Sequence, residues 1–479
     1  MQRFFRSGKK PADRHKEFSV HQSWRGCEFD IHSVDTLKEL LAKRTPNRYQ
    51  PLVALLRSAL RHRVMIIADG KEWQRTHETI NPALRAAALA SDYGPLIVAV
   101  AEAAFANISP SSKGSSLPAA PIEIVVEPLM RKITLSILGH LLFGGALHLD
   151  EAEYLEATLT RATEGVRRGI HPWINAGLGA VFNALHVVRH QPVFLPKAQR
   201  KAMGEILRWI GGAIDEIDRR GPTAPRPPLL AGLESRYSEL SASERRRCIA
   251  AEFAMMFIAG IETTASALTM AIAEIARDPT VREFVTREAR QQPDPESAGR
   301  APSAAVRFPS IQYPYIHCVF RETLRRHTIV PTFLRETEKE YEVCPVTAQT
   351  ESTSPQAITP ESRDAVRIPP GSTLRYLPVQ GHMRRGVWTD PHRFDPSRFA
   401  RPLNAEQTRN YIPFGFGPQR CPGHAIATAE SILILATFFK NFDVEVRDAR
   451  RAIAMERNAV FTNRPVGITV RVSRASATA

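Results

Sequence analysis

The decapeptide at residues 414–423 constrains this chain more than any other segment. It reads Phe-Gly-Phe-Gly-Pro-Gln-Arg-Cys-Pro-Gly and places one cysteine, Cys421, in a loop rich in Gly and Pro. Glycine admits turns that are closed to other residues and lets a flat ligand approach the backbone closely. The apolar run 425–439 that follows is typical of a buried helix. Cys421 is therefore predicted to lie just before a helix N-terminus.

This position of Cys421 favours the thiolate over the thiol. A helix N-terminus offers unpaired N–H groups and the positive end of the helix dipole, and both stabilise a negative sulfur. A thiolate presented by a glycine-rich loop suits an axial ligand to haem iron, where it would push electron density onto the iron and favour O–O cleavage. A buried cysteine in an ordinary turn before a helix is the alternative interpretation.

Composition places the chain among globular intracellular enzymes. Its 479 residues are 43% hydrophobic and 24% charged, which permits a sizeable core. The net charge of +15 is compatible with nucleic acid, an anionic membrane or an acidic protein partner. The charges are scattered and no nucleic-acid-binding signature is present, so no nucleic-acid partner is predicted. Five separated cysteines without a CxxC pair indicate a reducing compartment and no structural zinc site.

Helical patterns dominate the chain, and short alternating stretches follow them. We expect helices over residues 34–43, 83–108, 122–142, 154–168, 199–219 and 315–327. The longest helical segment, 241–277, starts with the capping-box pattern of Ser241 and Glu244 and is apolar on both faces. It is therefore expected to run through the core. No uncharged apolar run reaches 18 residues, so no transmembrane anchor is predicted.

Two further patterns carry polar chemistry. The long helix contains Ala259-Gly260-Ile261-Glu262-Thr263-Thr264, an acid and two hydroxyls that are costly to bury without partners. A capped polar patch at a helix kink is the alternative to a functional role. Glu322 and Arg325 have ExxR spacing, but so do the exposed-looking Glu244 and Arg247. The ordinary interpretation of such a pair is a surface ion pair one helical turn apart.

These patterns, in their order along the chain, resemble the cytochrome P-450 superfamily. The loop resembles the haem-binding signature Phe-x-x-Gly-x-Arg-x-Cys-x-Gly, with Gln419 at the arginine position and Arg420 one place later. Residues 259–264 resemble the oxygen-activation motif, and Pro396-Ser-Arg398-Phe399 resembles the Pro-x-Arg-Phe element. Trp73 matches the Trp-x-x-x-Arg element, whose arginine position holds His77.

The resemblance implies a mainly α fold with small β-sheets, which is the single-domain cytochrome P-450 fold. Haem b would lie between the long central helix and the cysteine loop with its following helix. Residues 1–479 would form one domain, with 1–70 as a shortened N-terminal region and 345–365 as a polar surface insertion. The style of the motifs is similar to that of eukaryotic members, including fungal ones. Such members usually carry a membrane anchor, which is not expected in this chain.

The resemblance also assigns roles to residues. It implies that Cys421 ligates the iron, that Thr263 hydrogen-bonds dioxygen and that Glu262 supplies protons. The positions that would contact the cofactor are Trp73, His77, Ala259, Gly260, Arg335, Phe414, Arg420, Cys421 and Gly423. Among them, Trp73, His77, Arg335 and Arg420 would hold the haem propionates. Glu322, Arg325 and Arg398 would form a buried structural triad with no chemical role.

The implied activity is haem-dependent monooxygenation. Dioxygen and electrons from an NADPH-cytochrome P-450 reductase or similar donor would oxidise a small hydrophobic substrate, in secondary metabolism by the family's usual work in fungi. The implied location is the surface of the endoplasmic-reticulum membrane, reached by peripheral contact. Two alternatives stay open: a haem-thiolate isomerase or dehydratase that needs no dioxygen, and a non-catalytic haem-binding relic. The Glu262–Thr263 pair argues against the first, whereas Gln419 and His77 favour the second.

Overall fold

The computed structural model describes most of the chain between residues 18 and 475. The described ranges are 18–23, 26–43, 47–48, 50–62, 64–89, 93–108, 121–145, 149–169, 197–221, 223, 225–291, 309–343, 366–446, 455–457 and 462–475. The predicted surface insertion at 345–365 lies outside the described residues, as does the start of the predicted N-terminal region.

The described part of the chain is mainly helical. The helices are α1 (Val34–Lys43), α2 (Gln50–Leu60), α3 (Gly70–Leu89), α4 (Tyr93–Ala106), α5 (Val126–Phe143), α6 (Leu149–Gly169), α7 (Lys197–Arg219), α8 (Pro228–Arg236), α9 (Ala242–Arg277), α10 (Pro279–Gln291), α11 (Pro309–Gln312), α12 (Pro314–His327), α13 (Pro378–His382), α14 (Ala405–Asn410) and α15 (His424–Asn441). The 3-10 helices are Met65–Ile67 and Pro396–Phe399. This content confirms the predicted fold class.

Small sheets accompany the helices. The strands are β1 (Phe18–Ser23), β2 (Gly26–Ile31), β3 (Asn47–Arg48), β4 (Ile122–Val125), β5 (Phe333–Glu336), β6 (Tyr341–Val343), β7 (Val366–Ile368), β8 (Thr373–Tyr376), β9 (Phe442–Glu445), β10 (Met455–Arg457), β11 (Asn463–Pro465) and β12 (Thr469–Arg474). The largest described sheet has five strands in the order β1-β2-β8-β5-β3. Within it β2 and β8 are parallel, and β3 pairs antiparallel with β5 so that Arg48 lies opposite Arg335.

The 36-residue helix α9 is the centre of the core. Its N-cap is Ser241, whose hydroxyl accepts from Glu244 N while the Glu244 carboxylate accepts from Ser241 N, so the predicted capping box is confirmed. It packs against α5, α7, α12 and α15. Among the described helices it alone is long and apolar enough to cross a bilayer, but 67% of its apolar window is buried inside the protein. It therefore serves as a core helix.

Two helix predictions have different boundaries in the structure. The single helix predicted over 83–108 is two helices, because α3 ends at Leu89 and α4 begins at Tyr93. Ser91 and Asp92 precede Tyr93 in the sequence, and both residue types favour the N-cap position of a helix. The helix predicted from 122 begins only at Val126, because Ile122–Val125 alternates in burial and pairs with β12. Alternation with a period of two is the strand pattern.

Candidate functional site

Backbone hydrogen bonds close the loop around Cys421. Cys421 N donates to Phe414 O at 2.9 Å, and Gly415 N donates to Ile412 O at 3.0 Å. Gly415 and Gly417 have φ values of 72° and 69°, which side-chain-bearing residues rarely adopt. Cys421 precedes Gly423, the N-cap of α15, by two residues, as the sequence predicted. The glycines thus fold the loop back on itself and present the sulfur.

The Cys421 sulfur is accessible and yet strongly desolvated. The residue is exposed by surface area, but its burial among protein atoms raises the pKa of the thiol. A hydrogen bond from the Gly423 backbone and the charge of Arg420 act in the opposite direction without prevailing. An accessible group in such surroundings lies at the wall of a recess. The start of α15 alone therefore does not produce the expected thiolate, whereas a bound metal ion would deprotonate the thiol.

One face of α9 points toward the cysteine loop. Ala259, Thr263 and Ala267 lie four residues apart and so share that face. Ala267 belongs to a buried cluster that joins α9 to α12, and Phe414 of the loop packs against this cluster. The buried members of this cluster are Ala267, Phe320, Leu324 and Ile329. The structure thus brings the Thr263 face of the core helix and the Cys421 loop to the same place.

The polar residues of α9 interrupt a buried helix. Ala259 is exposed and Glu262 and Thr263 are half-buried, whereas most of the helix around them is buried. The Thr263 hydroxyl donates to Ala259 O at 2.7 Å, one turn earlier. No hydrogen bond or ion pair links the Glu262 carboxyl to another described residue. The acid and the hydroxyl thus lie on a partly exposed stretch of an otherwise buried helix.

Gly260 has a packing requirement of its own. A Cβ at this position would come within 2.8 Å of Leu138 Cδ1 on α5. The missing side chain therefore lets α5 approach α9 closely, in the turn that also carries Ala259 and Thr263. Gly423 is different, because a Cβ there would meet the Cys421 sulfur at the ordinary distance of 3.9 Å.

Glu322, Arg325 and Arg398 lie together in the buried region behind the loop. Arg325 Nε and Nη2 donate to the two Glu322 oxygens at 2.7 Å each, and Arg398 Nε lies 3.4 Å from Glu322 Oε1. The Glu322 and Arg325 side chains are 0% exposed. Arg325 Nη1 also donates to His382 O, and Arg398 donates to the carbonyls of Thr389 and Asp390. By contrast, Glu244 of the other ExxR pair caps α9 at the surface.

Trp73 and His77 form an aromatic pair on α3. The rings of Trp73 and His77 stack with centroids 4.6 Å apart, and α3 packs against α15. Burial lowers the pKa of His77, Glu78 raises it, and Arg85 lowers it further. His77 is therefore a neutral donor or acceptor near neutral pH, in contrast to the cation that an arginine would supply.

Arg335 lies beside a second cation that sequence reasoning missed. Arg48 is opposite Arg335 on the neighbouring strand, and its backbone N–H donates to Asp69. Burial first, and then the charge of Arg335, lowers the pKa of Arg48 to about 9, while Asp69 acts in the opposite direction. Burial also lowers the pKa of Arg335. Two neighbouring desolvated guanidinium groups favour an anion such as a carboxylate.

The loop adds one orphaned polar atom and one exposed cation. Gln419 Oε1 is buried and has no hydrogen-bond partner within the described ranges, and Arg335 Nε is in the same condition. Arg420 is exposed. An accessible cysteine, orphaned polar atoms and two neighbouring desolvated guanidinium groups fit a flat cofactor that carries carboxylates.

Comparisons with known proteins agree with this geometry. A family model described as Cytochrome P450 matches residues 17–347 and 358–472. A geraniol 8-hydroxylase from Swertia mussotii is 28% identical over 256 residues, which are 52% of this chain and 46% of that protein. A steroid 17-alpha-hydroxylase/17,20 lyase from Mesocricetus auratus is 25% identical over 366 residues, which are 73% of this chain and 65% of that protein.

The chain spans about half the length of the first of these relatives, at 46%, so their names describe them and not this protein. The family model, however, covers nearly all of the chain on both sides of residues 348–357. The protein therefore belongs to the cytochrome P450 family, whose members hold haem through cysteine-ligated iron.

Proposed function

We propose that this protein is a haem-dependent monooxygenase that oxidises a small hydrophobic organic substrate. The observation that carries the proposal is the convergence of two features on one recess. The accessible Cys421 sulfur lies in a closed loop, and that loop packs through Phe414 against the α9 face that carries Thr263. A thiol in this loop and an acid–alcohol pair on the neighbouring helix are the two protein components that oxygen activation by a haem-thiolate centre requires.

Cys421 is proposed to ligate the iron, and Phe414, Ala259, Gly260 and Gly423 to shape the walls around the cofactor. Thiolate-ligated haem supplies dioxygen binding and O–O cleavage when it is bound. The propionates would be held by donors on α3, the β3–β5 edge and the loop. These proposed donors are Trp73, His77, Arg48, Arg335 and Arg420. Arg48 and Arg335 supply charge where His77 and Gln419 replace arginines of the family pattern.

Thr263 and Glu262 are proposed to manage protons. In the structure the Thr263 hydroxyl donates its hydrogen to Ala259 O. Rotation about the Cβ–Oγ1 bond would free this hydrogen for donation toward dioxygen. The Glu262 carboxyl is half-buried and hydrogen-bonds no described group, and we propose it as the residue that delivers protons. General acid catalysis of this kind needs a titratable group within reach of the reacting atoms.

Electrons are proposed to come from an NADPH-dependent flavoprotein reductase, and a basic net charge of +15 would favour encounter with an acidic partner. The recess is bordered by apolar side chains of α9, and the relatives named above carry the names of hydroxylases of organic molecules. A small hydrophobic substrate is therefore proposed. Peripheral contact with the endoplasmic-reticulum membrane is proposed with it.

A carbon-monoxide difference spectrum of the reduced protein tests the iron ligand. With haem supplied during expression, we expect a strongly red-shifted Soret band, and Cys421→Ala should abolish it. Cys318→Ala makes the same change at a buried cysteine of α12 and should leave the band intact. A parent protein without the band would contradict the monooxygenase. Turnover of substrate under anaerobic conditions without reductant would favour the isomerase or dehydratase.

A further inference from the structure

A fully buried histidine joins the ExxR helix to the cysteine loop. His382, the last residue of α13, is 0% exposed. Its Nε2 lies 3.1 Å from Ile412 N, and its Nδ1 lies 3.0 Å from Thr328 Oγ1. Its own backbone carbonyl accepts from Arg325 Nη1 at 2.8 Å. Three hydrogen bonds from one residue therefore hold together α12, α13 and the segment that opens the loop.

The two ring contacts fix the tautomer. The backbone N–H of Ile412 is a donor and nothing else, so Nε2 must be the unprotonated acceptor. The ring proton consequently sits on Nδ1 and is donated to the Thr328 hydroxyl oxygen. Burial and the nearby charge of Arg325 lower the pKa of His382 to about 3. Arg325 is the charged group that faces the ring from α12, and the ring therefore stays neutral across physiological pH.

A continuous set of hydrogen bonds leads from this ring to the cysteine. Ile412, held by His382, accepts from Gly415 N at 3.0 Å and so starts the turn of the loop. Phe414 O, within that turn, accepts from Cys421 N at 2.9 Å. At the other end Thr328 is the C-cap of α12 in a left-handed conformation with φ of 39°. Its position is thereby fixed by the helix that carries Glu322 and Arg325.

We propose that His382 is a positioning residue for Cys421, acting as a neutral Nδ1–H imidazole whose Nε2 accepts from Ile412 N. The proposal rests on the proposed role of Cys421 as the iron ligand. It places the control of thiolate geometry in a side chain outside the loop, more than thirty positions earlier in the sequence than the cysteine. The interaction that matters for the loop is the one at Nε2, and the interaction at Nδ1 serves to select the tautomer.

Two conservative replacements separate the two ring nitrogens. The amide of His382→Gln reaches the position of Nε2 and can accept from Ile412 N, whereas the amide of His382→Asn reaches the position of Nδ1 and can accept or donate only toward Thr328. Each variant keeps one of two buried hydrogen bonds, so a merely structural role predicts equal losses. We expect His382→Gln to keep most of the red-shifted carbon-monoxide band and His382→Asn to lose it several-fold.

Hydrogen–deuterium exchange over residues 412–423 of the same purified proteins gives a reading that does not depend on the spectrum. We expect exchange there to rise about tenfold in His382→Asn and to change little in His382→Gln, the size expected for one lost buried hydrogen bond. Thr328→Val leaves the ring in place and removes the contact at Nδ1, and we expect it to give an intermediate increase in exchange. It also tests the proposal if an amide variant fails to fold.

The outcomes distinguish the two proposals. A parent protein without the red-shifted band overturns the proposed function, and exchange then still decides the role of His382 in the loop. A parent with the band, together with Asn and Gln variants that behave alike in spectrum and exchange, overturns the role of His382 alone. Unchanged exchange in Thr328→Val would contradict the role of the Nδ1 contact in holding the tautomer that Ile412 N requires.

Discussion

Two buried glutamates show two ways in which this protein keeps a carboxyl group in its core. Glu322 on α12 is 0% exposed and accepts hydrogen bonds from Arg325, with Arg398 beside it. Glu430 on α15 is 2% exposed, and burial raises its pKa to about 8. The first carboxyl group is paired with arginine, and the second is a protonated acid near neutral pH.

The two surroundings also differ in how well polar atoms are matched. Around Glu322, both oxygens are used, and Asp395 N donates to Oε1 at 2.9 Å. Around Glu430, one carboxyl oxygen has no hydrogen-bond partner in the described structure, and the hydroxyls of Tyr93 and Thr134 are in the same condition. Thr134 approaches closely enough to lower the pKa of Glu430, though less than burial raises it. Both oxygens of the Glu322 carboxyl thus have hydrogen-bond partners, whereas the α4–α5–α15 junction around Glu430 holds three unmatched polar atoms.

The largest expected effect tests the paired carboxylate. Glu322→Gln keeps the shape of the side chain but leaves the buried Arg325 guanidinium without its counter-charge. Breaking a buried ion pair from one side destabilises a protein by about 3–5 kcal/mol. We expect a loss of that size in the free energy of unfolding, measured by urea denaturation, together with loss of the red-shifted carbon-monoxide band.

Glu244→Gln is the matched control, since Glu244 also has ExxR spacing but lies at the exposed N-terminus of α9. Glutamine can replace glutamate in a capping box, so the unfolding midpoint should hardly change. Equal losses of unfolding free energy in the two variants would show that the buried Glu322–Arg325 pair does not stabilise the protein more than the exposed Glu244 does.

The family resemblance predicted the paired carboxylate, because ExxR spacing alone fits Glu244 and Arg247 equally well. Glu322 and Arg325 are one helical turn apart, and the context of Pro396–Phe399 identified Arg398 as the third member. The core helix, its capping box and the cysteine loop were predictable from local patterns, since each depends on residues that are neighbours in the sequence. Spacing along one element is visible in a sequence.

Contacts between distant elements were not predictable from the sequence. Arg48 meets Arg335 across two strands, and His382 reaches Ile412 from another part of the chain. Nothing in the local sequence of Arg48 or His382 distinguishes it from a surface residue. The raised pKa of Cys421 was missed for a related reason, because desolvation depends on the whole packed surroundings and outweighs the local effect of the helix start.

An intermediate effect tests the protonated acid. The pKa of the Glu430 carboxyl is about 8 in the folded protein, above its ordinary value of 4.5. Between these pH values the folded state holds a proton that the unfolded state has lost, so stability falls as pH rises from 4.5 toward 8. Glu430→Gln removes this dependence. We expect the stability of the variant relative to the parent to improve by about 2 kcal/mol between pH 6 and pH 7.5.

Urea denaturation at a series of pH values measures that difference. Glu283→Gln, at an exposed position of α10, controls for the same chemical change outside the core. If the stability of Glu430→Gln relative to the parent does not vary with pH, the Glu430 carboxyl is ionised in the folded protein. The contrast between the two glutamates would then be one of partners and not of protonation.

The smallest effect compares two buried tyrosines, each beside a buried acid. Tyr237 Oη donates to Glu252 Oε1 at 3.3 Å, and burial raises the pKa of Glu252 to about 8. Tyr93 lies near Glu430, but its hydroxyl has no hydrogen-bond partner among the residues described. Removing a hydroxyl that makes a buried hydrogen bond costs about 1 kcal/mol, whereas removing an unmatched one is nearly neutral. We therefore expect Tyr237→Phe to lower the free energy of unfolding by about 1 kcal/mol and Tyr93→Phe to leave it within about 0.5 kcal/mol of the parent. Equal losses of unfolding free energy in urea denaturation would mean that the Tyr93 hydroxyl also makes a buried hydrogen bond. The polar atoms of the α4–α5–α15 junction would then have partners, as the Glu322 oxygens do.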